Sequence, residues 1–544
     1  MTEKQDSSVL IKHLAKQGVD NSMVMGHPSS LFVLFFTEMW ERFSYYGMRA
    51  LLTIFLVTEI AEGGWEWTNE EALKLYGLYT GLVYLTPLIG GIIADRLTGY
   101  RKAIAIGALV MTLGHLSMAL EGIHANFFYL GLLLMILGNG LFKPNISSMV
   151  GQLYPDTSSK KDAGYTIFYM GINAGAFLGM LLCGYIGEKV GWHYGFGLAG
   201  VFMFFGMLQF YFGQKIFGII GEEPNANQHE IKIDSIDDIG SHIDKKEINP
   251  MEEDIEKIET SHVVRDRIIV VVVFMIASIF FFFAFEQAGG SMTLFAKDFT
   301  QRTLTGNSGT IFKWVDAILT IFPIIVVTYV LIGLAKRIYN KYLLTVIFTM
   351  ISFIIIWILG IWKVYREFSL ETTEVTVSWF QILNSFFIIT LASSFSRLWE
   401  KVWNPSGPIK FALGLILVAI GFVALSYGSM NIPQGAKTAS VSMIWLILAY
   451  FFHTMGELCL SPVGLSYVSK LSPKKFLGLL FGFWFTASAI ANSIAGFTGA
   501  YIDKISETYS LSIFFIIIAS LPLMVALLLI LFNKKLVEMM HGIK

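Results

Sequence analysis

Four charged side chains lie in a stretch that is otherwise apolar enough to cross a membrane. Glu38, Glu41, Arg42 and Arg49 fall within the apolar run at about 31–60. A charge in the middle of a bilayer costs from about 3 to more than 10 kcal/mol, so such residues persist where they pair with each other or line a wet cavity. On a helix, their i, i+3, i+4, i+11 spacing places them on one face. The pattern predicts an inward-facing polar stripe that pairs charges or carries protons.

Three more ionisable residues interrupt later apolar segments. Lys143 precedes Pro144 and either pairs with an anion or extends to the membrane surface. Glu286 ends a very apolar segment, where an unpaired acid would stay protonated and one beside an arginine would ionise, as suits a proton carrier. Glu457 lies near Pro462 in another apolar segment. Together with the first stripe, these residues predict a central polar cavity between two helical bundles.

The composition is that of a membrane protein. Of the 544 residues, 55% are hydrophobic and only 15% are charged, and the mean hydropathy is +0.62, which indicates an integral protein with many spans. A net charge of −1 gives no reason to expect a nucleic-acid partner. Cys183 and Cys459 lie in apolar segments, so no disulfide framework is expected. Neither the cysteines nor the histidines show a metal-ligand spacing, and no metal site is predicted.

The apolar segments predict the helices that would position these residues. Since a spanning helix needs about 20 apolar residues, we expect about fourteen spans. Their predicted positions are 31–60, 72–95, 102–122, 127–151, 163–188, 193–217, 266–297, 312–335, 342–364, 378–399, 408–428, 440–469, 475–502 and 509–533. Lys and Arg are concentrated in alternate loops, which predicts that both termini face the cytoplasm.

These segments predict five parts of the chain. They are a cytoplasmic N-terminal segment at 1–30, an N-terminal six-helix bundle at 31–217, a cytoplasmic polar linker at 218–265, a C-terminal bundle at 266–533 that includes an inserted helical hairpin at 312–364, and a cytoplasmic tail at 534–544. The linker is rich in Asp, Glu and Lys, which is typical of disorder; a regulatory docking segment is the alternative.

Several motifs follow one another in an order that resembles a known family. They read ExxERFxYY at 38–46, GGxxAD at 90–95, FKPN at 142–145, FYxxINxGxxxG at 168–179, FEQ at 285–287 and ExxxSPxGLSxVxKLxP at 457–473. This series resembles the proton-dependent oligopeptide transporter family of the major facilitator superfamily. The resemblance implies an all-α polytopic membrane protein with two six-helix bundles and, here, two extra transmembrane helices. It also implies symport of di- and tripeptides with protons by alternating access.

The resemblance further implies roles for individual residues. The peptide carboxylate would be held by Arg42, Lys143 and Arg49, and the amino terminus by Glu457, Asn173 and Asn384. Side-chain pockets would be lined by Tyr45, Tyr46, Tyr84 and Trp484, with Ser461 on the wall of the second bundle. Glu38, Glu41 and Glu286 would couple protons, and Arg49–Glu286 and Lys143–Glu457 would form ion pairs between the bundles. From its chemistry alone, Asn173 is equally consistent with a contact between helices.

Three features depart from the family pattern. The position before FEQ, where a tryptophan is common, lies in a run of phenylalanines. Asn384 is followed by Ser385 where a proline is usual. The two extra spans at 312–335 and 342–364 follow the FEQ helix, whereas bacterial members often carry an extra pair before it. A pair of spans crosses the membrane and returns, so it preserves the predicted topology.

Other functions remain open from the sequence. A transporter of the same fold could carry nitrate, an amino acid or a drug-like acid, and a passive channel or a nutrient receptor are further alternatives. An intramembrane enzyme using Ser461 or His453 is disfavoured because the two residues lie about two helical turns apart. We therefore expect a non-enzymatic transporter that uses protons as its coupling ion, without another cofactor. We expect its partners to be small peptides, protons and lipid but not nucleic acid, and expect it to act as a monomer in a bacterial inner membrane.

Overall fold

Apolar segments inside a bilayer must satisfy their own backbone hydrogen bonds, and this chain does so with long helices. The structure is a computed structural model that describes residues 3–155, 158–223, 261–473 and 477–543. In the first half the helices are α1 (Glu3–Lys16), α2 (Ser29–Val57), α3 (Asn69–Ile93), α4 (Gly99–Ala119), α5 (Asn126–Gln152), α6 (Lys160–Lys189) and α7 (Trp192–Gly213).

The second half of the chain also consists mainly of long helices. Its helices are α8 (Ser261–Phe285), α9 (Ser291–Leu294), α10 (Gly306–Ile338), α11 (Leu343–Ser369), α12 (Val377–Arg397), α13 (Gly407–Gly428), α14 (Ile444–Leu471), α15 (Leu477–Gly499), α16 (Ile502–Thr508), α17 (Leu511–Leu531) and α18 (Asn533–Met539). The described residues also form two short antiparallel strand pairs, β1 (Met23–Val24) with β2 (His27–Pro28) and β3 (Thr303–Leu304) with β4 (Thr373–Glu374).

Within the described ranges, 11 helical stretches are long and apolar enough to cross a membrane. One of them, Asn69–Ala119, contains both α3 and α4, joined by a π-helical turn at Ala94–Thr98. The long helices α2 and α15 are not among the 11. Helix α2 carries the four charged residues of the first stripe. The number of fourteen spans therefore stays a prediction.

The first bundle consists of α2 to α7. Helix α2 packs on α6 and α7, α4 packs on α5 and α7, and α3 packs on α5. Close approach of α6 to α2 depends on glycine: a Cβ at Gly175 would lie 2.1 Å from the Met39 carbonyl oxygen, and one at Gly179 would lie 2.2 Å from that of Phe43. These glycines of the FYxxINxGxxxG motif thus let α6 pack closely against the helix that carries the charged stripe.

The second bundle surrounds α8. This helix packs on α13, α14, α15 and α17, while α13 also packs on α14 and α17, and α12 packs on α14. The polar linker predicted at 218–265 lies largely outside the described residues, and the domain boundaries stay a prediction.

The bundles meet where α3 packs on α15 and α6 on α12. A Cβ at Gly496 would lie 2.3 Å from the Gly77 Cα atom, so the backbones of α3 and α15 touch there. The Asn69 side-chain amide donates to the Asp503 carboxylate at 3.1 Å. Glu188 of α6 accepts hydrogen bonds from the first backbone N–H groups of α12, at 2.7 Å from Val377 and 2.9 Å from Ser378. These contacts hold the bundles together at the end that the loop charges predict to be external.

The inserted hairpin is formed by α10 and α11 and extends beyond the predicted 312–364. Although it falls within the second half of the chain, α11 packs on α7 of the first bundle, and α10 contacts α6 and α2. A buried ion pair joins Lys363 to Asp316, which also accepts a hydrogen bond from the indole of Trp379 at 3.2 Å. Tyr185 of α6 donates to Glu367 at 2.6 Å. The hairpin therefore connects α12 to the first bundle, and its grouping with the C-terminal bundle, which followed chain order, does not describe its packing.

Candidate functional site

A cavity of about 340 Å³ lies between the two bundles. Its walls come from α2, α3 and α6 on one side and from α8, α12, α14 and α15 on the other. The predicted site residues on its surface are Tyr46, Arg49, Tyr84, Asn173, Glu286, Asn384, Glu457, Ser461 and Trp484. The cavity surface does not include Glu38, Glu41, Arg42, Tyr45 or Lys143. The structure thus brings most of the predicted residues into one polar and aromatic cavity, as the sequence predicts.

Arg49 and Glu286 form a buried ion pair across the bundle interface. The Arg49 Nε atom also donates to the Tyr76 hydroxyl at 2.8 Å. The guanidinium carbon lies 5.8 Å from the Tyr46 ring centroid and 5.5 Å from that of Tyr76, so aromatic faces surround the charge. Glu286 begins the 3₁₀ turn after α8, which aims its carboxylate at α2. A base of the first bundle is thereby neutralised by an acid of the second.

Glu38, Glu41 and Arg42 form a second charged cluster, within the first bundle. The Arg42 Nε atom lies 2.7 Å from a Glu38 oxygen and 2.9 Å from a Glu41 oxygen. The Asn139 amide donates to the other Glu41 oxygen at 2.9 Å. All three charged side chains are buried. Two carboxylates share one guanidinium, so the cluster is neutral when it holds one proton, and a neutral cluster is the less costly one to bury.

Lys143 and Glu457 do not form the predicted ion pair in this structure. The Lys143 ammonium lies 4.2 Å from the centroid of the Tyr84 ring. Glu457 instead accepts a hydrogen bond of 2.9 Å from Asn384, whose amide also donates to Thr454 at 3.1 Å. The two charges stand apart because α5 packs on α3 and α4, whereas α14 packs on α12 and α13.

Some cavity residues had no role predicted from the sequence. Tyr169, Tyr450 and Ser488 lie on its surface. Helical spacing could have identified them, because Tyr450 precedes Glu457 by seven positions and Ser488 lies four positions after Trp484. Asn173 donates to the Tyr169 carbonyl of its own helix at 3.0 Å while its side chain faces the cavity, so it is not used as a contact between helices.

The alternative of an intramembrane enzyme that uses Ser461 or His453 finds no support in the contacts of these two residues. Both line the cavity. Across the part of the chain that is described, neither the ring nitrogens of His453 nor the Ser461 hydroxyl has a hydrogen-bond partner, so the two do not contact each other. The His453 ring packs against Phe422, with 4.6 Å between ring centroids.

A polar cavity enclosed by two helical bundles, in a protein with many membrane-spanning helices, defines an integral membrane transporter. The sequence profile of the POT family matches residues 101–363 and 336–516. An uncharacterized transporter of Bacillus subtilis, YclF, is 33% identical over 520 residues, which cover 92% of this chain and 93% of that protein. The chain belongs to the POT family, which is the family that its motifs resemble.

Two other similarities concern proteins whose substrate is named. A di-/tripeptide transporter of Lactococcus lactis subsp. cremoris is 31% identical over 544 residues, covering 95% of this chain and 98% of that protein. A crystal structure of a peptide transporter of the POT family in complex with sulfate is 29% identical and covers 100% of both chains, with a TM-score of 0.72. The two-bundle fold is therefore shared over the whole length.

Proposed function

We propose that this protein imports di- and tripeptides together with protons, by alternating access across a bacterial inner membrane. Membership of a family of transporters, rather than enzymes, supports the general class. The di-/tripeptide transporter of Lactococcus lactis, similar over nearly the whole chain, supports the substrate. The proposal includes cytoplasmic termini, a functional monomer and protons as the coupling ion with no other cofactor.

The observation that carries the proposal is the distribution of charge on the cavity wall and directly behind it. Arg49 and Glu286 neutralise each other, whereas Lys143, behind the cavity residue Tyr84, forms no salt bridge with a described carboxylate. Glu457, on the opposite bundle, accepts a hydrogen bond from the uncharged Asn384 and forms no salt bridge among the described residues. A zwitterionic peptide offers a carboxylate for Lys143 and an ammonium for Glu457. Because burying an unpaired charge is costly, a ligand with both charges is favoured over one with a single charge.

Proton coupling would act through the contact between Arg49 and Glu286. Protonation of Glu286 would remove the charge that holds Arg49 and so loosen the contact between the bundles. Arg49, and Arg42 behind it, would then be drawn towards the peptide carboxylate, with Asn173 and Asn384 near the amino end. Tyr46, Tyr84, Trp484 and Ser461 would line the side-chain pockets, with Tyr45 supporting them from behind. Glu38 and Glu41 would hold a proton within the first bundle.

The driving force available to such a cycle is substantial. One elementary charge that moves through the membrane potential is worth about 2.3 kcal/mol per 100 mV. Since 1.36 kcal/mol corresponds to a factor of ten, a potential of about 100 mV alone would concentrate a peptide roughly fiftyfold. A chemical proton gradient would add to this value.

Uptake of labelled dialanine into proteoliposomes tests the proposal. We expect accumulation when the interior is negative and the exterior acidic, collapse with an uncoupler, and competition by tripeptides. Equilibration without accumulation would indicate a channel, and tight binding without uptake a receptor. Accumulation of nitrate, an amino acid or a drug-like acid, but not of peptides, would retain the fold and replace the substrate.

A further inference from the structure

Two imidazoles and a carboxylate meet at the end of α8 that the loop charges predict to be cytoplasmic. His262 and Asp266 lie one turn apart on α8, and His541 follows α18 near the C-terminus. The Asp266 Oδ2 atom is 3.1 Å from His262 Nδ1 and 3.1 Å from His541 Nε2. One ligand atom from each of the three residues lies within 4.8 Å of the others.

These distances suit a small divalent ion. In a tetrahedral zinc site with bonds of about 2.1 Å, neighbouring ligand atoms are roughly 3.4 Å apart. Two imidazole nitrogens and one carboxylate oxygen are donors that zinc and related transition metals accept. The His262 side chain is 63% exposed and that of His541 31% exposed, which leaves water free to take a fourth position.

The end of the last helix directs His541 towards α8. His541 follows the C-cap residue Met540 and has a φ of 48°, the left-handed conformation with which many helices end. Its ring centroid lies 6.2 Å from that of His262, with the two planes at 80°.

We propose that His262, Asp266 and His541 bind a divalent transition-metal ion of the zinc type, which ties the C-terminal tail to α8. The ion would join the tail to the helix that directly precedes Glu286. The site is separate from the cavity, and the proposal does not depend on which solute is transported. The sequence predicts no metal site because His541 and Asp266 are 275 positions apart.

Arg265 is the nearest competing group. Its NH2 atom lies 3.5 Å from the other Asp266 oxygen, Oδ1, and its side chain is 65% exposed. It can therefore remain next to Oδ1 while Oδ2 binds the ion. The alternative explanation is a clamp made by hydrogen bonds alone, in which Asp266 accepts from both histidines without a metal.

The test uses the full-length protein in detergent, with any polyhistidine tag removed because the tag binds the same ions. Zn²⁺ is added by equilibrium dialysis and measured by elemental analysis, and Co²⁺ is titrated to record its visible absorption. Three variants remove one ligand each: His262→Ala, Asp266→Asn and His541→Ala. His193→Ala is the matched control, because His193 is an exposed histidine with no place in the cluster.

We expect one ion per chain, a tetrahedral Co²⁺ spectrum, and affinity at least about tenfold weaker in each ligand variant but unchanged in the control. Zn²⁺ should also raise the melting temperature of the wild type and of His193→Ala, but not that of the ligand variants. Asp266→Asn keeps an oxygen that can accept hydrogen bonds from the histidines but loses the carboxylate that would bind the ion. Weaker Zn²⁺ binding by this variant therefore distinguishes a metal site from a clamp made by hydrogen bonds alone. Wild-type protein that binds no ion, or His541→Ala that binds as tightly as the wild type, would overturn the proposal. Either result leaves the uptake assay unaffected.

Discussion

Glu286 and Arg49 neutralise each other across the bundle interface, and this makes Glu286 a position where one proton can change how the bundles hold together. The two bases differ in their surroundings. Arg49 is paired with Glu286 and enclosed by tyrosine rings. Lys143 stands beside Tyr84 and forms no salt bridge with a described carboxylate, although Glu41 and Glu38 lie near enough to attract it. At the residue scale, the proposed function therefore depends on the Arg49–Glu286 pair and on the two charges of Lys143 and Glu457.

Glu286→Gln should abolish uptake driven by a proton gradient and retain counterflow of peptide, because an amide cannot lose or gain the proton that controls Arg49. Both activities are measured in the same proteoliposomes. Glu400→Gln serves as the control, since Glu400 is an exposed acid. Gradient-driven uptake at the wild-type rate in Glu286→Gln would contradict the assigned role.

Lys143→Gln and Glu457→Gln should each remove recognition of one end of the peptide. A hydrogen bond to a charged group is worth about 1.5–3 kcal/mol, so each variant should bind dialanine about tenfold or more weakly. Lys143→Gln should lose the preference for dialanine over its C-terminal amide, and Glu457→Gln the preference over its N-acetyl form. Competition against labelled peptide measures this, with Ser488→Ala as an uncharged control on the same cavity. Equal losses of affinity for dialanine, its C-terminal amide and its N-acetyl form would show that neither residue binds a peptide terminus.

At the scale of the helices, the bundle ends that the loop charges predict to be external meet through small residues. A Cβ at Gly77 would lie 2.8 Å from the Gly496 Cα atom and 3.0 Å from the Ser493 carbonyl oxygen. Gly91, on the same helix, has room for a side chain: a Cβ there would lie 3.9 Å from its nearest neighbour, the Cβ atom of Pro144. The contact between α3 and α15 therefore depends on the absence of a side chain at Gly77.

Gly77→Ala should favour the conformation in which this end is open. Overpacking of a tight contact costs about 1–3 kcal/mol, which would shift a balanced equilibrium roughly 5- to 150-fold. A cysteine placed at Asn69, labelled with an impermeant maleimide, reports the shift, since Cys183 and Cys459 are buried. Gly91→Ala on the same helix should leave labelling unchanged. If Gly77→Ala also leaves it unchanged, the contact does not control opening.

At the scale of the whole molecule, alternating access requires the bundles to separate at the end where they now touch. Asn69 at the start of α3 and Asp503 on α16 belong to different bundles, and their side chains are 3.1 Å apart. Both are partly exposed, so reagents can reach them.

Joining Asn69→Cys to Asp503→Cys with a short reducible cross-linker should stop peptide uptake, because the two bundles could no longer part. A reducing agent should restore the rate. Each single cysteine variant, treated in the same way, should transport normally. Full uptake by the cross-linked protein, with cross-linking verified by mass spectrometry, would exclude opening at this end as part of the transport cycle.

Much of this molecule could be predicted from sequence because the bilayer makes an unpaired charge or an unsatisfied backbone group costly. A charge such as Glu286 or Arg49 in an apolar segment must face a partner or a cavity whatever the details of packing. Segment length similarly determines which stretches become long helices, since every backbone group has to bond within its own helix. The charged residues, the helices and the cavity between two bundles follow from these two constraints.

The sequence could not determine which helix faces touch. In a membrane, the surfaces that meet lipid and those that meet other helices are both apolar, so periodicity does not identify a partner. Only the tertiary structure placed Arg42 behind the cavity, left Lys143 and Glu457 apart, set the inserted hairpin on α7, and brought His541 to Asp266. Each of these outcomes depends on distances between segments far apart in the chain, which packing determines and local residue patterns do not.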